Sequence, residues 1–77
     1  MAMIKKFEKL SFEDRVRLAR ERARAAKLLS AARCWDYIAE VFLCAAHASK
    51  TGQMAVARKM GKGGMDLVGQ LDRGIMW

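Results

Sequence analysis

Residues 31–48 read AARCWDYIAEVFLCAAHA, and this stretch decides the fold. Wound as a helix of 3.6 residues per turn, it is apolar on nearly every side. Cys34, Trp35, Ile38, Val41, Phe42, Cys44 and Ala45 are spread around it. Asp36, Glu40 and His47 share one narrow stripe with Leu43. A helix patterned in this way is contacted from several directions, so it belongs at the centre of a bundle. Trp35 is the expected anchor, with Ile38 and Phe42 beside it. Its most apolar run, Cys34 to Ala48, is too short, and with Asp36 and Glu40 too polar, to span a bilayer.

Working back towards the N-terminus, the preceding helix has a clear start. Ser11 is a good N-cap, Glu13 and Asp14 suit the positive end of the helix dipole, and Ser11 with Asp14 resembles a capping box. Phe12, Val16, Ala19, Ala23 and Ala26 recur at spacings of four and three, which makes an apolar stripe. Leu18, Ala25, Leu28 and Leu29 are expected to widen burial on another side. Arg17, Arg20, Arg24 and Lys27 form a separate basic ridge. A break is expected near residues 29–32, with Ser30 capping the next helix; the alternative is one kinked helix through residues 11–48. Residues 1–10 read as an N-terminal arm.

Towards the C-terminus, Ser49-Lys50-Thr51-Gly52 reads as a turn, with Gly52 as the helix-ending glycine. A third helix is expected over residues 53–60. Gly61-Lys62-Gly63-Gly64 is expected to be a loop, since three of its four residues are glycine. A weaker helix follows over 65–73, closed by Gly74, and residues 75–77 form a short apolar tail. The whole is expected to be a single all-α domain over residues 1–77, a compact bundle of three to four short helices.

The chain has 77 residues, which allows one domain and leaves a small core. Cys34 and Cys44 lie ten residues apart on one helix, roughly 15 Å, whereas a disulfide needs Cα atoms within about 7 Å. Two unbridged cysteines read as small core residues in a reducing compartment. Lys5 and Lys6 are followed by Phe7, Glu8, Lys9 and Leu10, which is not the apolar core of a signal peptide. Met3 is read as the native start. A cytoplasmic protein without membrane association is the expectation, with homodimerisation as a source of further core.

Charge is concentrated in one place. Residues 15–33 hold seven cations against Glu21 alone, while the chain as a whole is +7. A small domain cannot bury so many unpaired cations, so they are a surface feature. The Arg17-Arg20-Arg24-Lys27 ridge is therefore the candidate partner-binding site, facing an acidic protein surface or a nucleoprotein complex. The opposing reading is a solvated face, partly neutralised by Glu21, Asp36 and Glu40. The ridge lacks interleaved aromatic residues, which argues against stacking on single-stranded nucleic acid.

The string GQMAVARKMG at residues 52–61, followed by LVGQLDRG at 67–74, resembles the helix-turn-helix of Cro-like phage and bacterial regulators. The resemblance implies that Gln53 opens a helix, Ala57 packs inside it, Gly61 makes the turn and Leu67 anchors a recognition helix. Lys62, Gln70 and Arg73 would then face DNA. The sequence departs from the pattern at Lys62, where an apolar residue normally follows the turn glycine, and Asp66 would repel phosphate.

No catalytic constellation stands out. One histidine with two carboxylates on the 36–47 stripe is weak for zinc, and Cys44 with His47 lacks a third group to orient the base. No cofactor and no enzymatic activity are expected. The leading reading is a small helical interaction protein, a regulator or inhibitor, similar in size and charge to phage and mobile-element accessory proteins. The alternative is a DNA-binding transcriptional regulator using residues 53–74.

Overall fold

The computed structural model describes residues 2–73, which form four helices in chain order with no strand among them. They are α1 (Ala2–Glu8), α2 (Phe12–Ala25), α3 (Leu29–Lys50) and α4 (Met54–Asp72). The fold is thus the expected all-α bundle. Gly74 and the tail at 75–77 lie outside the described residues. As expected, α3 is the centre: Trp35, Ile38, Ala39 and Phe42 are buried, and α2 and α4 both pack against this helix. Ion pairs mark the direction of the α2–α3 hairpin. Lys50 near the end of α3 meets Glu13 near the start of α2 at 3.6 Å, and Arg20 meets Glu40 at 3.4 Å. The two helices therefore run antiparallel. The radius of gyration, 11.9 Å, is close to the roughly 11.5 Å expected of one compact body of this length.

Two helix ends follow from local chemistry as expected. Ser11 takes an extended backbone, and its hydroxyl accepts the Asp14 N–H at 3.3 Å, which satisfies one orphan donor of α2. At Gly52, φ is +81°, a left-handed conformation that glycine adopts without a Cβ penalty. The Gln53 N–H then donates to the Ala48 carbonyl at 2.8 Å and the Gly52 N–H to Ser49 at 3.3 Å. These paired bonds close α3 as a Schellman motif and reverse the chain into α4.

The expected loop at residues 61–64 is corrected: α4 runs unbroken from Met54 to Asp72. Two of its glycines have a packing reason. A Cβ on Gly61 would lie 2.8 Å from Phe12 Cε1, and one on Gly64 would lie 2.8 Å from Phe42 Cε1 and Cζ. Rings from α2 and α3 thus rest directly on the α4 backbone. A glycine in a helix costs about 1 kcal/mol against alanine. Burial of Phe42, which is fully inside, offsets that cost. A Cβ on Gly63 would point into open space, and nothing in the structure explains this glycine.

The N-terminal arm is also corrected, since Ala2–Glu8 is a helix packed on α4. Seven residues are too few for a stable isolated helix. Phe7 supplies the anchor: it is fully buried and stacks between Trp35 at 5.8 Å and Phe42 at 6.0 Å. The α2–α3 break falls at residues 26–28 rather than 29–32, with Ala26 and Leu28 both extended and Ser30 inside α3. Local propensity favours helix throughout this stretch. The break lets α2 fold back and cover Trp35, Ile38 and Phe42 with its small residues Ala19 and Ala23. Leu28 and Leu29, expected inside, are consequently left exposed. Cys34 packs against the core as expected, but Cys44 is exposed.

Candidate functional site

The basic ridge is built on the outer face of α2. Arg17 is exposed and reaches Asp14, one turn earlier, at 3.7 Å. Arg20 crosses to Glu40 of α3, its Nη2 donating to Oε1 at 3.4 Å. Arg24 is exposed and borders a shallow depression with Arg20 and Asp36. Asp36 and Glu40 therefore do face the ridge across the hairpin. Both ion pairs are open to solvent, where such a pair is worth about 0–1 kcal/mol, so they leave the arginines available to a partner. Lys27 is corrected: α2 ends at Ala25, and the extended Ala26 takes Lys27 off the ridge line. It lines a different opening, together with Arg22.

Arg15, counted by sequence as part of the basic surface, is a structural residue. Its Nε donates to the Phe7 carbonyl at 2.7 Å and its Nη2 to the Glu8 carbonyl at 3.3 Å, so it caps the C-terminal end of α1. The same guanidinium lies 5.4 Å from the ring centres of both Phe12 and Phe42. Burial pulls Arg15 below the ordinary arginine value, and the nearby Glu8 carboxylate opposes that shift. The only sequence hint was its spacing of three from Phe12.

A second basic region was not singled out from sequence. Lys5 and Lys6 of α1, Lys9 just after it and Arg22 of α2 line one open cleft, with Asp72 as its one acid. Among the described residues, none of these four cations has an ion-pair partner within 4 Å. One Asp72 carboxylate oxygen is buried without a hydrogen-bond partner among those residues.

The three residues of the DNA-binding alternative lie on or at the end of α4. Lys62 and Arg73 are exposed and Gln70 is half-buried. With no turn at Gly61, they fall with Asp66 on one side of a straight helix, within about 80° of arc. The Asp36, Glu40 and His47 stripe is exposed, and no cluster of three metal-ligating side chains forms among the described residues. No described helix is long and apolar enough to cross a membrane. No protein-family model matches the chain, and neither the curated proteins nor the solved structures provide a similar one.

Proposed function

We propose that the chain is a small helical interaction protein, a regulator or inhibitor that docks on a larger, acidic protein or nucleoprotein partner. The observation that carries this reading is the exposed arginine face of α2, whose ion pairs with Asp14 and Glu40 are too solvated to neutralise it. A field of this kind acts on encounter: it speeds association with an acidic surface and makes affinity salt-sensitive. No cofactor is needed for such a role. The exposed, unbridged Cys44 thiol favours a reducing compartment, so we place the protein in the cytoplasm.

DNA binding through Lys62, Gln70 and Arg73 is the second reading, favoured by their common side of α4. Asp66 between them weakens it, because a carboxylate there repels phosphate. Affinity capture from bacterial lysate, with and without nuclease, separates the two. A protein that stays bound after nuclease and associates more slowly at high salt agrees with the first reading. Loss of every bound component with the nucleic acid favours the second.

A further inference from the structure

Two openings on the molecule adjoin, sharing Met3 and Arg22. One is an apolar slot of about 640 Å³ beside the α2–α3 connection, walled by Ala26, Leu28, Ala31 and Trp35. The other is the cleft walled by Lys5, Lys6, Lys9 and Arg22. Lys27 stands on the rim of the slot. We propose that this composite groove is the docking site, and that its occupant is an acidic, amphipathic segment of a partner protein. The proposal rests on the interaction-protein reading and moves the contact from the arginine ridge to the groove.

Charge complementarity argues for an acidic occupant. Arg17 and Arg20 of the ridge already have carboxylate partners, which leaves Arg24 there without one, whereas all five of Lys5, Lys6, Lys9, Arg22 and Lys27 have none within 4 Å among the described residues. A carboxylate arriving at the groove displaces no internal partner, so its attraction is not spent on breaking one. The apolar wall argues for hydrophobic anchors beside those acids. Leu28 is 63% exposed where it lines the slot, and Leu29, the next residue, is 67% exposed. They are the two most exposed large apolar side chains among the described residues. An anchor side chain gains from covering such surface.

Nucleic acid fits less well. Ala26, Leu28 and Ala31, which wall the slot, offer a phosphate chain no donor side chain. The slot offers no stacking platform either, because Trp35 is 8% exposed and Phe7 already stacks on it. A polypeptide with leucine-like anchors flanked by glutamate or aspartate matches both halves of the groove at once.

The test is a fluorescence-anisotropy titration of the full chain with a labelled helical peptide bearing leucines on one face and glutamates along its borders. A counterpart carries lysines in place of the glutamates. The acidic peptide should bind at least about tenfold tighter than the lysine peptide. Lys5→Glu with Lys9→Glu, and separately Leu28→Ser, should each weaken it about tenfold, whereas Arg17→Glu with Arg24→Glu, which acts only through the long-range field on association, should weaken it by no more than about threefold. All these positions are exposed, so each variant should melt like the wild type. Failure of the acidic peptide to bind overturns the groove, as does binding that only the ridge reversal weakens; that second result leaves the interaction-protein reading standing. Duplex DNA bound in place of either peptide overturns both. A chain lacking residues 74–77 that binds the peptide at least about tenfold tighter than the full chain assigns the groove to the protein's own tail. A dimer dissociated by Leu28→Ser assigns it to a second copy. Either of these also overturns the proposal.

Discussion

Two regions of this small bundle treat apolar surface in opposite ways. Where α2 begins, Phe12 and Phe42 press on bare α4 backbone at Gly61 and Gly64, and Arg15 lies across both rings. Where α2 gives way to α3, Leu28 and Leu29 stand in solvent beside an open slot and a rim of cations. The first region is closed to the point that a methyl group would collide. The second has room for further side chains. Residues that look like helix breakers are the closest-packed part of the core, and residues that look like core are left at the surface. Packing across the chain, rather than the character of each residue, decides which is which.

Removing the aromatic link between the two regions should have the largest effect. Trp35 is buried, stacks on Phe7 and also floors the slot, so Trp35→Ala should cost about 3–5 kcal/mol and abolish cooperative melting. Thermal denaturation followed by circular dichroism checks this. A variant that melts like the wild type would show that the core does not depend on α3 as described.

Next in size is Arg15, which belongs to the closed region alone. Arg15→Ala removes two bonds to α1 carbonyls and the cation over Phe12 and Phe42, for about 1–2 kcal/mol. Hydrogen exchange should show the α1 amides losing protection before those of α3. Unchanged α1 protection would mean that the guanidinium is not what holds that helix. Arg15→Lys should recover little, because an ammonium cannot reproduce the planar fork that reaches both carbonyls.

The smallest effect on stability is expected at the ridge. Arg20→Glu with Arg24→Glu loses one solvated ion pair to Glu40 and should shift stability by only about 0.5 kcal/mol. Its influence should instead appear as slower, less salt-dependent association with an acidic partner. A loss of several kcal/mol in denaturant titration would show that these arginines are structural, as Arg15 is.

What the sequence made legible was local or periodic. Ser11 and Gly52 could be recognised because a cap and a left-handed turn are set within a few residues. The central role of residues 31–48 was legible from its all-round apolar pattern, and Arg17, Arg20 and Arg24 from their helical spacing. Gly61 and Gly64 misled because their role depends on rings about 50 and 22 positions away, which no local helix propensity contains. Phe7 was missed because a seven-residue helix is too short to display a period. The groove was hidden for the same reason. Its lysines come from α1 and the turn after it and from the α2–α3 connection, its arginine from a side of α2 away from the ridge, and part of its apolar wall from that same connection, which propensity assigns to helix.

The difference between packed and open positions is tested most directly at two adjacent residues of α4, by measuring the unfolding free energies of Gly63→Ala and Gly64→Ala side by side. Gly63 faces open space, so alanine there should stabilise the protein by about 0.5–1 kcal/mol through helix propensity alone. Gly64 carries the Phe42 ring, so alanine there should destabilise it by about 1–3 kcal/mol. Opposite signs at neighbouring positions are the expected result. Changes of the same sign, or two substitutions without effect, would mean that residues 61–64 do not form a helix beneath the aromatic rings.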